Sequence, residues 1–373
     1  MSAASLHPRD LMFDPPALAR DELEWIAGDV YGLAGTLAPL RGERDQNTRI
    51  TTSAGERYVL KVGSPSADPS TALFHARALV HIASTDADLP VPRVLRTRAG
   101  ELCGTVDVAA PGDLPAGSDT CTVQVLSFIP GIVFNDPDPV SLPGLRGIGA
   151  VQGRLARALV DFDDPAADNF MPWALDSGTL ELDELWSNLS DAAAAVAGPC
   201  RDRVASATAA LGGLRRQIVH NDGHRGNLLR ADARSERVIG VIDFGDLVRT
   251  ALVADLAIAA ASFVGDQPDP IAGLCALARG FHGVVALEHD EIDVLPDLVL
   301  ARMTLSTLML DFQIAHTPHL AAALTAERPS VLSNLERWRD VDLLAATDRL
   351  RAALDQRDRG ADPGEHDQGR RAQ

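Results

Sequence analysis

The sequence predicts an α+β protein with two lobes, a small N-terminal lobe rich in strands and a larger C-terminal lobe made mainly of helices. Its 373 residues exceed the length that one hydrophobic core usually supports. Short runs of β-branched and aromatic residues recur before residue 130, whereas Ala- and Leu-rich segments with helical spacing dominate after it. The pair Pro130-Gly131 marks this change and is typical of a connection between lobes.

These changes in composition predict four parts of the chain. We expect a leader over residues 1–20, an N-terminal lobe over 21–128, a C-terminal lobe over 129–355 and a tail over 356–373. The tail is polar and has almost no apolar residues, so it is expected to be disordered.

The N-terminal lobe is predicted to consist of strands around one long helix. A hairpin is expected over 48–62, because Gly55 lies in a turn between two runs rich in β-branched and aromatic residues. The helix is expected over 68–84, with Asp68 as its N-cap and Pro69 at its first position. The further elements predicted here are a helix over 21–33, a hairpin over 90–106 and a strand over 120–129.

The C-terminal lobe is predicted to be helical except between 217 and 243, where short buried strands are expected. The segments with helical spacing are 145–162, 180–197, 250–263, 270–287, 291–325 and 333–355.

The overall composition restricts the classes of partner. A formal net charge of -18 and a pI of about 4.9 weigh against nucleic acid and favour cationic or neutral ligands. The four cysteines are scattered without metal-binding or redox spacing, so reduced thiols are expected. We find neither a signal peptide nor a continuous apolar stretch of roughly 18 residues, which predicts a cytoplasmic protein without a membrane partner.

One lysine stands out among the basic residues. Lysine and arginine together number 34, yet Lys61 is the only lysine in the sequence. Within its predicted strand it points to the face opposite Tyr58, Leu60 and Val62. A compact ammonium where every other strong base is a guanidinium indicates a site that discriminates between the two.

Two polar segments follow apolar runs in the predicted strand region. The first, HNDGHRGN at 220–227, contains Asp222 and Asn227 five residues apart, and the second, VIGVIDFGD, reaches Asp243 at the end of an apolar run. Phosphoryl transfer needs a lysine for the nucleotide phosphates, a carboxylate for the attacking hydroxyl, and an Asn and an Asp for magnesium. Lys61 and these three residues provide that set in that order.

The ordered set resembles the aminoglycoside phosphotransferase and choline kinase-like superfamily, whose catalytic loop has the pattern H-G-D-x-x-x-x-N before a strand ending in I-D-F/W-G. The resemblance implies a bilobal fold like that of protein kinases. It implies that Asp222 is the catalytic base, that His220 supports the loop, that Asn227 and Asp243 bind Mg²⁺, and that Asp255 braces the loop.

The same resemblance implies where the nucleotide binds. ATP or GTP is expected at Lys61, at Asn47 in GERDQN, and at Ser127 and Ile129 in VLSFIPG, which is similar to the family's hinge. The segments GERDQN, RYVLKV and DFGDLVRTALVADLAIA are most similar to the hydroxylysine kinase branch. The expected activity is transfer of a γ-phosphoryl group to a hydroxyl of a small, cationic, amine-bearing acceptor such as 5-hydroxylysine. An aminoglycoside acceptor remains an alternative, and no oligomeric state is predicted.

The sequence departs from the family pattern in three places. Asn221 replaces the usual Gly of the loop and is expected to be tolerated, because Asn also adopts left-handed backbone angles. The helix over 68–84 has no Glu to pair with Lys61, and His75 stands nearest to that position. GERDQN has a single Gly, so phosphate binding by its backbone has less support than in a Gly-rich loop.

Two other interpretations remain open. His220 and His224 are four residues apart, as in helical zinc sites, but glycines at 223 and 226 disfavour a helix here. A nucleotide-binding regulator that has lost transfer activity is the second, and the missing Glu is its main support.

Overall fold

The computed structural model describes residues 15–355 apart from residue 43, residues 108–119 and 136–138, and residue 319. The predicted α+β bilobal arrangement is confirmed: an antiparallel sheet near the N-terminus is followed by a mainly helical body. Most of the predicted leader, residues 1–14, and the whole predicted tail lie outside the described residues.

The N-terminal sheet is antiparallel and has the strand order β1-β2-β3-β6-β4, with β5 also paired to β6. A helix and a single π-helical segment over Ile26–Val30 precede it. The elements of this part are α1 Arg20–Trp25, β1 Gly35–Leu40, β2 Gln46–Thr52, β3 Arg57–Val62, α2 Pro69–Thr85, β4 Val94–Leu95, β5 Gly104–Asp107 and β6 Thr120–Ser127.

Two sequence predictions for this sheet need correction. The segment 90–106 is not a hairpin, because β4 and β5 do not pair with each other but both pair with one edge of β6. Each of the two short strands was expected to pair with the other, but both pair with the long strand β6 instead. Strand β1 was not predicted, and Pro39 within it is tolerated because β1 lies at the edge of the sheet.

Side-chain alternation along β3 places Lys61 as expected. Leu60 and Val62 are fully buried against α1 and its π-helical extension, in a small core that also contains Ile50 and Val123. Lys61 is on the opposite face, where it lines the cleft between the lobes.

Helix α2 packs against strands β4 and β6 of the sheet and also against the C-terminal body. Its cap is as predicted, since the Asp68 side chain accepts a hydrogen bond from Ser70 N at 2.8 Å. Its buried residues Phe74, Leu79 and Ile82, however, belong to the large core rather than to the small core of the sheet. The large core therefore extends through α2 to Leu126 of β6 in the sheet.

The C-terminal body contains more and shorter helices than predicted. The expected helix over 291–325 is divided at Thr317, because Pro318 disfavours helical angles in the residue before it. The segments 180–197 and 333–355 are each divided as well, and α6 was not predicted. The helices are α3 Leu142–Ala158, α4 Asp183–Ser187, α5 Asp191–Ala197, α6 Arg201–Ala210, α7 Leu252–Phe263, α8 Pro270–His282, α9 His289–His316, α10 Ala321–Arg339 and α11 Leu343–Asp355.

Helix α9 is the long central helix of this body. It has 28 residues and is apolar enough by length and composition to cross a membrane, although no continuous apolar stretch was apparent in the sequence. Within the folded chain 78% of its most apolar window is buried. Its apolar residues therefore serve as core, packing against α7 and α10.

Short strand pairs carry the two polar segments. Strands β8 Arg216–Val219 and β11 Val248–Ala251 pair with each other, and β9 Leu228–Arg230 lies between β7 Ile132–Val133 and β10 Gly240–Val241. The segment 220–227 connects β8 to β9, and residues 242–247 connect β10 to β11. Both loops thus emerge from the same small group of buried strands.

Helices α3 and α8 cross so closely that one position requires glycine. A Cβ atom on Gly149 would lie 2.0 Å from the carbonyl oxygen of Leu277. We expect Gly149→Ala to lower the free energy of unfolding by roughly 1–3 kcal/mol, because the helices must move apart. Urea denaturation measures this loss.

Gly147 provides the matched control in the same helix, since a Cβ atom there meets nothing within 4 Å. Gly147→Ala should raise the free energy of unfolding by about 0.5–1 kcal/mol through helix propensity. Equal stabilities of the two variants would contradict the close crossing.

Candidate active site

A cavity of about 1120 Å³ lies between the sheet and the helical body. It is lined by Asn47, Lys61, Asp222 and Asp243, which the sequence predicted as site residues, and by His75 of α2. Residues far apart in the chain therefore meet at one cleft. A large cavity with several polar side chains converging on it is typical of a small-molecule site.

The loop at 220–227 is anchored by a buried carboxylate. Asn221 has φ 63°, the left-handed conformation expected at the position where the family has Gly. Its backbone N–H donates to Asp255 Oδ1 at 2.8 Å, and Asp255 in α7 is fully buried. The brace that the resemblance implied for Asp255 is thus present in the geometry.

His220 supports the loop from inside. Its side chain is fully buried, its Nδ1 accepts a hydrogen bond from Asp222 N at 3.3 Å, and its ring packs edge-on against Phe244 at 4.7 Å. Burial lowers the pKa of His220 to about 4, so the imidazole is neutral at pH 7. A neutral ring accepts the Asp222 N–H without adding a charge beside the carboxylate.

Asp222 and Asn227 form a tight pair across the loop. Asn227 Nδ2 donates to Asp222 Oδ2 at 2.6 Å and to the Asp222 carbonyl oxygen at 3.1 Å. These bonds fix the amide orientation and leave Asn227 Oδ1 as the atom that can serve a cation. Burial, followed by the neighbouring Asp246, holds the pKa of Asp222 well above its usual range.

Asp243 is presented to the cleft by an unusual backbone conformation. It has φ 62°, and its side chain is 51% exposed although it follows a buried strand. The ammonium of Lys61 is the main cause that lowers the pKa of Asp243 to about 2, so this carboxylate is ionised. A carboxylate and an amide oxygen, completed by nucleotide phosphates, are the oxygen ligands that Mg²⁺ prefers.

Lys61 contacts two carboxylates. Its Nζ lies 3.2 Å from Asp45 Oδ2 and 3.5 Å from Asp243 Oδ1. Burial alone lowers the pKa of Lys61, but the two carboxylates outweigh it and hold the pKa above its usual value. Burial followed by the charge of Lys61 lowers the pKa of His75 to about 3, so His75 is a neutral neighbour and not a counter-ion.

The structure adds residues that the sequence did not single out. Arg44 contacts Asp246 Oδ1 at 2.6 Å and also donates to the Gly245 carbonyl oxygen, joining the loop before β2 to the loop that carries Asp243. Asp246 comes directly after the family-like I-D-F-G motif, so the sequence could have indicated that it lies near the site. Arg44 lies in GERDQN, but nothing in the sequence indicated its partner.

Arg302 of α9 is the second addition. Arg302 is 7% exposed as a whole residue. Its guanidinium lies over the Trp173 ring at 5.0 Å and donates to the Trp173 carbonyl oxygen at 2.7 Å. One nitrogen lies 3.7 Å from Asp222 Oδ1, too far for a hydrogen bond. A basic residue inside an apolar helical segment was the only sequence signal for it.

Two of the residues that the sequence predicted to bind the nucleotide do not line the cavity. Ser127 and Ile129 are absent from the described lining of the cavity, whereas Asn47 is part of it. The Ser127 hydroxyl accepts a hydrogen bond from Arg93 N at 2.8 Å, which ties β6 to the segment before β4. Their expected role in nucleotide binding stays a prediction.

A zinc site at 220–227 finds no support in the part of the chain that the structure describes. No group of three or more His, Cys, Asp or Glu residues there is arranged to hold a metal ion. His220 is buried, and His224 Nδ1 accepts a hydrogen bond from Gly226 N at 3.0 Å within a non-helical loop.

A family model described as "Phosphotransferase enzyme family" matches residues 36–289, from β1 to the start of α9. The chain belongs to this family. Curated relatives are the hydroxylysine kinase of Mus musculus, 24% identical over 79% of this chain and 82% of its own length, and that of Danio rerio, 23% identical over 86% and 92%.

Solved structures show the same fold. An amicoumacin kinase, hAmiN, in complex with AMP-PNP, Ca²⁺ and Ami has a TM-score of 0.65 at 16% identity and covers 88% of this chain and 97% of its own. A microcompartment-associated aminopropanol kinase has a TM-score of 0.63 at 17% identity and covers 90% and 98%. This member of the phosphotransferase family therefore has the small-molecule kinase fold, and it is an enzyme of the phosphotransferase class.

The buried brace gives a pH-dependent prediction. Burial raises the pKa of Asp255 from 3.8 to about 6, so folding favours its protonated form. The stability linked to this group is present below about pH 4 and lost as the pH rises through 6. Asp255→Asn, which keeps an acceptor for the Asn221 N–H, should match wild type near pH 4 and exceed its free energy of unfolding above pH 6, by on the order of 3 kcal/mol.

Urea denaturation at several pH values tests this expectation. Asp348→Asn is the control, because the Asp348 side chain is 79% exposed and its replacement should leave the pH dependence of wild type unchanged. A constant difference between Asp255→Asn and wild type across the whole pH range would show that the Asp255 carboxyl does not titrate as described.

Proposed function

We propose that the protein is a small-molecule kinase that transfers the γ-phosphoryl group of ATP or GTP to a hydroxyl of a small amine-bearing acceptor. One observation carries this proposal: Lys61, Asp222, Asn227 and Asp243 face a single cavity between the lobes or border it. Lys61 would contact the phosphates, and Asn227 Oδ1 and Asp243 would hold Mg²⁺. The AMP-PNP bound in the hAmiN complex supports ATP for this fold.

Asp222 is proposed as the catalytic base. The acceptor hydroxyl would give its proton to Asp222 as its oxygen bonds to the γ-phosphorus, while the bond from phosphorus to the bridging β-phosphate oxygen breaks and the nucleoside diphosphate leaves. A raised pKa suits a residue that must accept this proton. The Asn227 amide and the neutral His220 keep the carboxylate in position.

We further propose a hydroxy amino acid, with 5-hydroxylysine as the favoured case, as the acceptor. Arg302 is a buried guanidinium in the cavity wall beside Asp222, and a carboxylate on the acceptor would neutralise it. The same wall contains Glu327, which suits an ammonium group, and Asp266, whose carboxylate also contacts Arg225 at 2.7 Å. The curated relatives, which are hydroxylysine kinases, support the same class.

An aminoglycoside acceptor would pair with the acids of this cavity wall but not with Arg302. Aminoglycosides carry several ammonium groups, which suit the acids, but no carboxylate for Arg302. The net charge of -18 favours both cationic classes equally, so Arg302 is the feature that separates them. For the compartment we propose the cytoplasm, because the four cysteines are all free thiols.

The first experiment is nucleotide turnover with a panel of acceptors. We would measure Mg²⁺-dependent release of ADP or GDP with 5-hydroxylysine, several aminoglycosides, choline and homoserine. Release that depends on a hydroxy amino acid is the expected result. Release with aminoglycosides alone would reject the proposed acceptor class, and nucleotide binding without release under any acceptor would favour a regulator.

Asp222→Asn tests the proposed base. The amide keeps the size of the side chain but cannot accept the hydroxyl proton, so we expect kcat to fall by roughly 10²- to 10⁴-fold. Nucleotide affinity, measured by calorimetry, should stay within a few-fold of wild type. Wild-type turnover by this variant would remove Asp222 from that role.

Arg302→Met tests the proposed carboxylate contact. Loss of a charge-assisted hydrogen bond should reduce kcat/KM by roughly 10- to 100-fold for the preferred hydroxy amino acid. The matched control is the decarboxylated analogue of that acceptor, which keeps the hydroxyl and the amine. Its kcat/KM should be the same for wild type and variant, and an equal loss for both acceptors would show that Arg302 does not read the carboxylate.

A further inference from the structure

Lys61 lacks the helix-borne glutamate that pairs with this lysine in protein kinases, because α2 offers His75 in that region. We propose that Asp45, in the loop before β2, is the residue that positions Lys61 toward the nucleotide phosphates. This inference rests on the proposed kinase function and adds a positioning residue to it. It also removes the main argument for a regulator that has lost activity.

The contact between the two side chains is direct. Lys61 Nζ lies 3.2 Å from Asp45 Oδ2, nearer than the 3.5 Å to Asp243 Oδ1. The Lys61 and Asp45 side chains are 18% and 30% exposed, so solvent screens their attraction only in part. The sheet explains the geometry, since Lys61 pairs across the strands with Asn47 and Asp45 stands just before that strand begins.

Asp243 cannot keep this task during the reaction. Its carboxylate is one of the two proposed Mg²⁺ ligands, so a bound metal–nucleotide complex would draw it away from Lys61. Asp45 is then the remaining described carboxylate in contact with the ammonium. An oriented ammonium loses less conformational freedom when it binds a phosphate than an unrestrained one.

His75 cannot take the place of the carboxylate. It lines the same cavity, but its ring is neutral because burial and the charge of Lys61 lower its pKa. A neutral imidazole provides no charge to hold the ammonium. The same position nevertheless offers a route for rescue, because a Glu at residue 75 would restore the arrangement found in protein kinases.

The loop that carries Asp45 is itself joined to the other side of the cleft. Arg44, its neighbour, contacts Asp246 at 2.6 Å and the Gly245 carbonyl oxygen at 3.4 Å. The position of Lys61 therefore depends on the same loop that meets the residues following Asp243. A shift of the loop that carries Arg44 and Asp45 would therefore also change the orientation of the Lys61 side chain.

The test begins with Asp45→Asn in the full chain. We expect the Kd for Mg²⁺–ATP to rise about tenfold and kcat to fall, while the Kd for adenosine, which has no phosphates, stays unchanged. Asp45→Glu should keep most of the affinity, and Asp45→Asn combined with His75→Glu should recover a part of it. A merely structural role of Asp45 would weaken ATP and adenosine binding together and would not respond to the second substitution.

Asp29→Asn is the matched control, because Asp29 is an exposed carboxylate on the far side of the small core. It should leave the Kd values for both ligands at their wild-type levels. Unchanged or tighter ATP binding by Asp45→Asn would overturn the proposal, since it would mean that Asp45 only repels phosphates.

A separate readout distinguishes this inference from the kinase proposal. Lys61 is the only lysine, so reductive ¹³C-methylation gives one side-chain signal besides the N-terminal amine, and its chemical shift can be followed by NMR at one pH without any turnover. The Lys61 methyl signal should change position in Asp45→Asn and stay at its wild-type position in Asp29→Asn. An unchanged signal in Asp45→Asn overturns the pairing, whereas a changed signal in a protein that binds no nucleotide overturns the kinase proposal instead.

Discussion

The loop at 220–227 is anchored by a fully buried hydrogen bond, from the backbone N–H of Asn221 to the carboxylate of Asp255. Helix α7 is apolar and surrounded by core, so Asp255 has few alternatives to this partner. The bond holds Asn221 in its left-handed conformation and turns the chain so that Asp222 faces the cleft. A buried carboxylate is costly, and its retention here serves the geometry of the loop.

The cleft places acids beside bases instead of presenting a uniform charge, and three of its acids lie close together. Asp222, Asp243 and Asp246 influence one another, and burial raises the pKa of the first and the third. Lys61, Arg44 and Arg302 each approach one of these acids and offset this effect in turn. A metal–nucleotide complex contains both a cation, which can pair with these acids, and phosphates, which can pair with these bases. Its binding would therefore leave none of these charges unpaired.

The sequence predicted what depends on local pattern and missed what depends on distant partners. Asp222 and Asn227 were predictable because their spacing within one loop sets their contact, and Lys61 because strand alternation sets its face. The contact of Arg302 with the loop depends on how α9 packs, and that of Asp45 on strand pairing, so neither appears in any short segment. The hairpin over 90–106 failed for a related reason, since the competing strand β6 lies beyond the local pattern.

The position of Asp45 has a mechanical consequence. Helix α2 packs against β4 and β6 as well as against α3, so it belongs to neither part of the molecule alone. If the sheet moves relative to the helical body over a bound nucleotide, a counter-ion on α2 would follow Lys61 only in part, whereas Asp45 and Lys61 lie next to each other on the same sheet and would move together. The enzyme would thus carry a pre-assembled pair through its opening and closing cycle, and would not have to rebuild it at each turnover.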